Sequence, residues 1–390
     1  MNIKDLQRVL QENIREYGMF IALFVIWTAF AILTDGIFIS SRNISNLLNQ
    51  SGYIAVLGIG MTLIIVIRHI DLSVGFLAGF MGALAAIAMA SWEWPVFVVI
   101  PVILLLGALL GLIPGFLVAQ MRIPAFVATL AGFLIYRGAI LVVTQRTGTI
   151  IIANDAFNAI GNGYIPDLPV SFLPETHKLT LIVGILAIIF YIFNEIKGRR
   201  TKQAYNFEVL SNEIFALKLI FVSLIMGGMT WVLSGYNGMS WTVVIMLLVV
   251  GIYHFITNRT VLGRHIYAVG GNPEAAELSG INVKKITYIV FAQMGMLAAL
   301  SGILFASRLQ SATTTAGTLF ELDAIAAAFV GGVSAAGGVG KVTGALIGAL
   351  VMASLTSGMN LMSIDISYQY IVRGIILAAA VIFDVATRNS

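Results

Sequence analysis

The sequence predicts an all-α fold, a polytopic bundle of about twelve transmembrane helices (10–12), on two observations. Hydrophobic residues make up 59% of the 390 positions and charged residues only 10%, against roughly 25% charged residues in soluble domains. Apolar runs of the roughly 20 residues needed to cross a hydrocarbon core fill most of the chain. The 39 glycines agree with this class, because small residues let membrane helices approach closely.

The N-terminal segment, residues 1–17, alternates charged residues with Ile3, Leu6, Leu10 and Ile14. This amphipathic helical spacing predicts a cytoplasmic segment on the membrane surface rather than a cleaved signal peptide. The net charge of +4 does not indicate a nucleic-acid partner, since the basic residues lie between apolar runs. The chain has no cysteine, which excludes disulfides and cysteine-ligated metals.

A single transmembrane domain is predicted over residues 18–386. Its twelve apolar runs lie at 18–34, 52–67, 72–90, 96–120, 124–144, 179–194, 216–234, 240–257, 286–306, 321–337, 342–362 and 367–386. The run at 321–337 is the weakest, because it opens with Glu321 and Asp323 and ends among glycines. A re-entrant or broken segment is the alternative there.

The distribution of basic residues predicts the orientation. With a cytoplasmic N-terminus, the inner segments hold Lys4, Arg8, Arg15, Arg68, Arg122, Lys197, Arg199, Arg200, Lys202, Arg259, Arg264, Lys284, Lys285, Lys341 and Arg388. The outer segments hold Arg42, Arg146, Lys178 and Arg308, and three more basic residues fall within spans. Since cytoplasmic segments carry the excess of Lys and Arg, both termini are predicted to be cytoplasmic.

An internal repeat is indicated by a matched pair of motifs. Gly107–Gly111 reads Gly-Ala-Leu-Leu-Gly and precedes Arg137-Gly, while Gly344–Gly348 reads Gly-Ala-Leu-Ile-Gly and precedes Arg373-Gly. The matched crossings run in opposite directions under the predicted topology, so the halves, about 52–144 and 286–386, form an inverted repeat of the kind common in transporters. Extra helices lie at about 179–234. Chance recurrence of small residues is the alternative.

Charged residues inside the spans need partners or water, since a charge at the bilayer centre costs roughly 2.5–3.5 kcal/mol or more. Arg137 and Arg373 should therefore face the bundle interior. The candidate partners are Asp71, Glu321, Asp323 and Asp384. Either these groups line a hydrophilic path for a polyhydroxyl solute, or they form structural pairs between helices. Asp71 or Ser73 is also predicted to cap the helix that follows them. The predicted translocation-path residues are Asp71, Ser73, Arg137, Glu321, Asp323 and Arg373.

No catalytic site is predicted. The segment 337–343 resembles a phosphate loop, but Ala335 and Val342 stand where the Walker pattern requires Gly and Ser or Thr. Its glycines predict a tight turn instead. The four histidines lack metal-ligand spacing. We therefore expect a transporter subunit without its own ATPase site, cofactor or metal, which is energised from elsewhere.

The predicted cytoplasmic loop 258–285 carries the most informative motif. Asn272 followed by Pro273 predicts the start of a short helix, with Asn272 as its cap. Glu274, Ala275 and Ala276, followed by Gly280, resemble the signature by which permeases of bacterial ABC importers dock onto their ATPase. The predicted coupling residues are Gly271, Asn272, Glu274, Ala275, Ala276 and Gly280.

Over roughly residues 40–386 the chain resembles the monosaccharide permeases of ABC importers, the ribose, xylose, galactose and multiple-sugar group. The length of 145–260 is similar to that of the xylose and multiple-sugar members. One departure is Arg68-His69, where relatives often carry an acidic residue, which leaves a role for Asp71 in sugar passage open. The resemblance rests on Ile70–Gly75, Gly263–Val283, Leu322–Ala326, Gly337–Gly340, Gly344 and Gly348.

The resemblance implies a homodimer in the bacterial inner membrane. Its implied partners are an ATP-binding ATPase subunit and a periplasmic or lipid-anchored sugar-binding protein. Its implied function is import of a monosaccharide of the xylose, galactose or arabinose class by alternating access. The alternative is a proton-coupled secondary sugar transporter that works alone, which would need a titrating buried carboxylate such as Asp323 or Asp384 and would have no motor to engage.

Overall fold

The computed structural model describes residues 14–145, 148–169, 176–207 and 209–388, with the side chains of 14–17, 387 and 388 excepted. The predicted surface segment 1–17 therefore lies outside the described residues except for 14–17, which begin the first helix. Lys4, Arg8 and Arg146, which contributed to the predicted orientation, also lie outside them. The orientation of the termini stays a prediction.

The described residues form fifteen α-helices, one 3₁₀ turn at Ile37–Ile39 and one pair of short strands. The strands, β1 (Thr149–Ile151) and β2 (Ser311–Thr313), pair antiparallel. The helices are α1 (Ile14–Leu33), α2 (Ser41–Val66), α3 (Val74–Ala90), α4 (Val96–Ala119), α5 (Ala125–Thr144), α6 (Asp155–Asn162), α7 (Lys178–Ala204), α8 (Asn212–Ser234), α9 (Trp241–Arg259), α10 (Val261–Gly271), α11 (Pro273–Leu278), α12 (Val283–Leu309), α13 (Phe320–Val330), α14 (Val342–Leu361) and α15 (Ile366–Arg388).

The prediction of a polytopic helical membrane protein is confirmed. Within the described ranges, nine helices are long and apolar enough to cross a membrane, namely α2, α4, α5, α7, α8, α9, α12, α14 and α15. Two more apolar helices are shorter, over Gly18–Leu33 and Val74–Ala90. These eleven helices correspond to eleven of the twelve predicted runs.

The remaining run, 321–337, is not a spanning helix, so its prediction as a full crossing is wrong. Only Phe320–Val330, 11 residues, is helical there, about 16 Å of length against a hydrocarbon core of about 30 Å. The chain continues through a glycine-rich loop in which Gly337 and Gly338 have φ of +81° and +72°. The predicted tight turn at these glycines is confirmed, since the Gly337 N–H donates to the Ser334 carbonyl at 3.0 Å and glycine adopts positive φ most readily.

The short helix and its loop nevertheless return the chain to the end of the bundle from which α12 starts. The Gly338 backbone N–H donates to the carbonyl oxygen of Val66 at 2.8 Å, at the last residue of α2. The Tyr267 hydroxyl donates to the Gly340 carbonyl at 2.5 Å. Tyr267 lies on α10, which is separated from the start of α12 only by the short α11. Since α12 spans 27 residues, about 40 Å, residues 314–341 form a broken crossing, the alternative raised for this run.

Among the nine long apolar helices of the described ranges, three are mostly buried. In the most apolar 18 residues of α2, 89% are buried, as are 72% of those in α14 and 67% of those in α12, against 6–11% in α7, α8 and α15. Small residues permit this density. A Cβ at Gly107 of α4 would lie 2.5 Å from the Gly295 carbonyl oxygen of α12, so the two backbones are in direct contact.

The chain divides into two compact units. One includes residues 39–46 and 164–240, with α7 and α8 joined by an ion pair between Lys218 Nζ and Glu195 Oε2 at 2.8 Å. It contains the predicted extra helices. The other includes residues 15–38, 47–163 and 241–388 and contains every predicted site residue.

Candidate functional site

The coupling segment, residues 260–282, consists of two short helices fixed by side-chain caps. The Thr260 hydroxyl accepts from the Gly263 backbone N–H at 3.2 Å at the start of α10. Asn272 Oδ1 accepts from the Ala275 N–H at 3.0 Å at the start of α11, with Pro273 at the first helical position. The predicted short helix with Asn272 as its cap is confirmed, because each cap satisfies a backbone donor that the helix leaves unpaired.

The α11 helix ends in a Schellman motif. The Ile281 N–H donates to the Ala276 carbonyl at 3.0 Å and the Gly280 N–H donates to the Glu277 carbonyl at 2.9 Å. Gly280 takes the left-handed conformation, with φ of +83°, as this motif requires at that position. The sequence therefore needs glycine at residue 280 for backbone geometry.

The outer surface of α11 is exposed in the described structure. Ala276 is buried, whereas Glu274, Ala275 and Gly280 are exposed, as are Gly271 and Asn272. Leu278 is 91% exposed, so α11 carries a protruding apolar side chain beside its glutamates. The sequence interpretation missed Leu278. The signal available in the sequence was an apolar residue at the end of a short polar helix, where it belongs to no periodic apolar pattern.

The coupling segment is attached to the end of α2. Arg68 Nε donates to the Gly270 carbonyl at 2.7 Å, and its Nη2 donates to the Gly271 carbonyl. Gly270 packs so closely that a Cβ there would overlap the Val66 carbonyl oxygen. From the sequence, Arg68 was counted among the predicted cytoplasmic basic residues and noted as a departure from a family pattern, but no contact was predicted for it, and Gly270 was not singled out. No local signal could identify either contact, since about 200 residues of sequence separate the partners.

The intramembrane residues of the first half cluster around the start of α3. The Asp71 carboxylate is buried, and its Oδ1 accepts from the Ser73 N–H at 2.9 Å and from the Ser73 hydroxyl at 2.6 Å. Ser73 precedes α3 and makes no side-chain capping bond to it. Of the two predicted caps, Ser73 takes the N-cap position of α3, but its hydroxyl donates to Asp71 and not to the helix, while Asp71 closes the turn before the helix.

Arg137 of α5 has no carboxylate partner among the described residues, so the prediction of a carboxylate partner is wrong for this residue. Its guanidinium carbon lies 4.9 Å from the centre of the Phe76 ring. Its Nη1 donates to the Thr314 carbonyl at 3.5 Å. The negative face of an aromatic ring attracts a cation, which is how α3 accommodates this charge.

Arg373 of α15 pairs with Asp323 of α13, as predicted. Arg373 Nη1 lies 3.3 Å from Asp323 Oδ1, and the side chains are 22% and 14% exposed. Arg373 Nη2 donates to the Thr356 hydroxyl of α14 at 2.6 Å. The Nε donor is buried and unpaired within the described residues. Three helices are thus joined at one guanidinium.

The other two candidate carboxylates pair with neither arginine in the described structure. Glu321 is 5% exposed, lies against Gly75 in the first turn of α3, and its Oε2 has no hydrogen-bond partner among the described residues. Asp384 accepts from the Ser334 hydroxyl at 3.2 Å and from the Ala335 N–H at 3.1 Å. Asp384 therefore ties α15 to the glycine-rich loop.

Asp323 and Arg373 line a cavity of about 300 Å³, a size typical of the smaller ligand sites. The structure brings to them several residues that the sequence interpretation did not select, and an amide such as Asn360 within the apolar run 342–362 was the available signal. No group of three or more His, Asp or Glu side chains among the described residues could hold a metal ion. The cavity is lined by Gln50, Tyr53, Ile54, Thr318, Leu319, Phe320, Asp323, Ala353, Thr356, Asn360, Tyr370 and Arg373.

Comparison with known proteins places this architecture among permeases. A family model described as branched-chain amino acid transport system / permease component matches residues 43–381. The xylose transport system permease protein XylH of Haemophilus influenzae is 39% identical over 377 residues, 97% of this chain and 98% of that protein.

Two further relatives agree. XylH of Escherichia coli K12 is 39% identical over 97% of this chain and 93% of that protein. The ribose import permease protein RbsC of Haemophilus influenzae is 37% identical over 95% of this chain and 93% of that protein. No solved structure matches the chain. With a family model that covers most of its length and relatives matched nearly end to end, the chain belongs to this family of ABC-transporter permease components, as a multi-pass protein of the bacterial inner membrane.

Proposed function

We propose that the chain is the membrane-spanning subunit of an ATP-binding-cassette importer that moves a monosaccharide of the xylose, galactose or arabinose class by alternating access. The observation that carries the proposal is the coupling segment, a capped and exposed pair of short helices attached directly to the most buried helix of the bundle. The relatives named as xylose and ribose permeases support the solute class.

The proposed assembly contains two copies of this chain, an ATPase subunit at the coupling segment and a sugar-binding protein on the opposite face. No Walker loop occurs in this sequence, so in this assembly the partner subunit binds and hydrolyses ATP. Leu278, which is 91% exposed, fits the role of an apolar anchor in a cleft of the ATPase, since buried apolar anchors dominate interface energetics.

The contacts of α2 supply a route for the motion. Arg68 donates hydrogen bonds to the carbonyls of Gly270 and Gly271, where α10 ends and α11 is about to begin. The Val66 carbonyl accepts from Gly338 in the loop after α13. The coupling segment, the end of α2 and the loop between α13 and α14 are thus bonded to one another, so a displacement of the coupling segment reaches these three helices through the same contacts. Packed helices respond to such displacements by discrete shifts rather than by continuous deformation.

A tight contact lies on α2 between the coupling segment and the cavity. A Cβ at Gly58 would lie 3.1 Å from the Ala327 Cβ of α13 and 3.9 Å from the Ala345 Cβ of α14. No solute passes between helices packed at that distance, because protein interiors contain few voids larger than a water molecule. We infer that this contact is a closed gate that opens when α2 separates from α13 and α14.

Replacing Gly280 with arginine tests the proposal. Gly280→Arg forces a left-handed backbone on a residue with a side chain and places a long cation on the exposed surface of α11, so ATP-dependent solute uptake should be abolished while the protein still inserts. Uptake is measured in membrane vesicles with the ATPase and binding protein, and insertion by the yield of membrane-extracted protein.

The matched control is Gly198→Arg. Gly198 lies on exposed α7, its φ is not positive, and an added Cβ would have no described atom within 4 Å. Solute uptake by the Gly198→Arg variant should therefore match that of wild type. Uptake that survives in Gly280→Arg and stops only with a proton uncoupler would overturn the proposal.

A further inference from the structure

We propose that the cavity lined by α2, α13, α14 and α15 is a binding site for the solute in transit, and that it selects a neutral polyhydroxyl molecule of monosaccharide size. The inference rests on the proposed function and names the site and its ligand class. It also decides between the two classes that the comparisons name, amino acids in the family description and sugars in the relatives.

The cavity lies where a solute in transit has to wait. Tyr53 stands at the middle of α2, which runs from Ser41 to Val66. Gly58, where α2 closes on Ala327 and Ala345, lies five residues further toward the coupling segment. The cavity is therefore on the far side of the closed contact from the coupling segment, on the side from which the predicted topology would deliver an imported solute.

Aromatic rings form one wall. The Tyr53 ring lies 4.7 Å from the Phe320 ring and 5.2 Å from the Phe305 ring, and the two phenylalanine rings are 4.9 Å apart. These neighbours hold the Tyr53 ring in place. A sugar has apolar C–H faces that pack on such rings, while a tyrosine offers a polar group at its edge.

Unused hydrogen-bonding groups line the rest. In the described structure the Tyr53 hydroxyl and the Gln50 amide make no hydrogen bond with protein, although both residues line the cavity. Asn360 accepts from Gln369 Nε2 at 2.8 Å, while its own amide donors have no protein acceptor among the described residues. Donors and acceptors at the edges of a concave apolar site are the arrangement that orients a polar ligand.

The charges of the site are already paired. Arg373 Nη1 is 3.3 Å from Asp323 Oδ1, and Thr356 accepts from Nη2. An amino-acid zwitterion would have to compete for this pair and leave a charge without its partner, which is unfavourable in a desolvated site. A hydroxyl group, in contrast, can accept from a guanidinium, which has five N–H donors, and donate to a carboxylate while the pair stays intact.

The absence of cysteine from the sequence makes the chain itself the background for a thiol-accessibility experiment. Thr318→Cys and Asn360→Cys place single thiols in the lining on two different elements. Ser91→Cys, at the exposed C-terminal end of α3 and outside the lining, is the control. Each full-length variant is purified in lipid nanodiscs and labelled with a small hydrophilic methanethiosulfonate, with D-xylose, D-ribose, sorbitol or L-leucine present.

We expect both lining thiols to be labelled, and both to be protected by at least one of the sugars. Solute at about twice its Kd leaves a third of the sites free and slows labelling about threefold. Ser91→Cys should be labelled at one rate throughout, and leucine should protect neither lining thiol. Lining thiols that are never labelled, absence of protection by any polyol, protection equally by leucine, or protection of Ser91→Cys to the same degree would each overturn the inference.

A conservative second substitution tests the contacts. Tyr53→Phe in the Thr318→Cys background keeps the ring and removes the unpaired hydroxyl, so the sugar concentration for half-protection should rise about fivefold, the loss of one hydrogen bond. Tyr253→Phe, in α9 and outside the lining, is the matched control and should not shift it. An unchanged half-protection in Tyr53→Phe would remove this tyrosine from the site as proposed.

These measurements need no ATPase, which separates the two proposals. Loss of ATP-dependent uptake in Gly280→Arg without protection of the lining thiols leaves the importer proposal standing and overturns the site. Protection of the thiols together with ATP-independent uptake overturns the importer proposal and leaves the site.

Discussion

Arg137 and Arg373 occupy matched positions in the two halves of the predicted repeat, yet they meet different surroundings. Arg137 lies against the Phe76 ring and makes a long hydrogen bond to the Thr314 backbone carbonyl. Arg373 lies against a carboxylate and a hydroxyl and lines the cavity. A shared motif therefore gives each helix a buried cation, while the packing partner determines whether that cation contributes to a polar site.

The starts of α3 and α13, the short helices that precede Arg137 and Arg373 in the two halves, also differ in how their carboxylates are partnered. Gly75, in the first turn of α3, is in backbone contact with Gly317, just before α13. At the start of α3, Asp71 Oδ1 accepts two hydrogen bonds from Ser73, two positions away. At the start of α13 the Glu321 carboxylate has an oxygen without a partner in the described structure, and Asp323 is committed to Arg373. The first half is locally satisfied, and the second depends on contacts between helices.

The largest expected effect separates the two arginines. Arg373→Ala leaves Asp323 as a largely buried carboxylate without its partner, which should lower the free energy of unfolding by about 3 kcal/mol and reduce solute uptake. Arg137→Ala loses a cation–π contact and one long hydrogen bond, about 1 kcal/mol. Thermal unfolding of the purified proteins measures both. The Arg373→Ala, Asp323→Ala double variant should lose less stability than Arg373→Ala alone, and equal losses at the two arginines would contradict the comparison.

A smaller difference is expected between the two carboxylates. Asp71→Ala removes the acceptor of the Ser73 N–H and hydroxyl, both buried, and should cost about 1–3 kcal/mol of stability. Glu321→Gln replaces a group that lacks a partner at Oε2, and we expect a change under about 1 kcal/mol. The same unfolding measurement decides. A larger loss in Glu321→Gln than in Asp71→Ala would show that the Glu321 charge stabilises the adjoining helix N-termini of α3 and α13.

The smallest effect is expected at an exposed carboxylate outside the spans. The Leu179 N–H donates to Asp167 Oδ1 at 3.0 Å, and this bond, with smaller contributions from Leu168, His177 and Lys178, lowers the pKa of Asp167 to about 2. A lowered pKa contributes stability above the unfolded value of about 3.9, and that contribution is lost as the pH falls through 2. Asp167→Asn should be slightly less stable than wild type at pH 7, and most of this difference should be lost at pH 2, by thermal unfolding. A constant difference at both pH values would assign it to packing.

Hydropathy located eleven helices, because the apolar length needed to cross lipid is a local property. It missed the polar first part of α2 (Ser41–Val66 against 52–67) and the polar last part of α7 (Lys178–Ala204 against 179–194). The cap at Asn272 and the glycine at 280 likewise predicted α11 from adjacent residues. The run at 321–337 is not a continuous helix, because Gly337 and Gly338 have turn dihedrals. The Gly338 N–H also bonds to the end of α2, a contact that hydropathy does not reveal. The predicted carboxylate partner of Arg137 was wrong because the ring of Phe76, 61 positions away in the sequence, lies against the guanidinium instead.

By itself the sequence determined that this chain is a helical membrane protein, where eleven of its apolar helices lie, and that a capped loop resembles the docking element of importer permeases. Each depends on composition or on residues within a few positions of one another. Only the tertiary structure decided that α13 is a broken crossing, that Arg68 holds the coupling segment to α2, and that Asp323, Arg373, Tyr53 and Gln50 share one cavity. Those outcomes depend on contacts between helices far apart in sequence, where close approach at glycine and the pairing of buried polar groups select one arrangement among many that hydropathy allows.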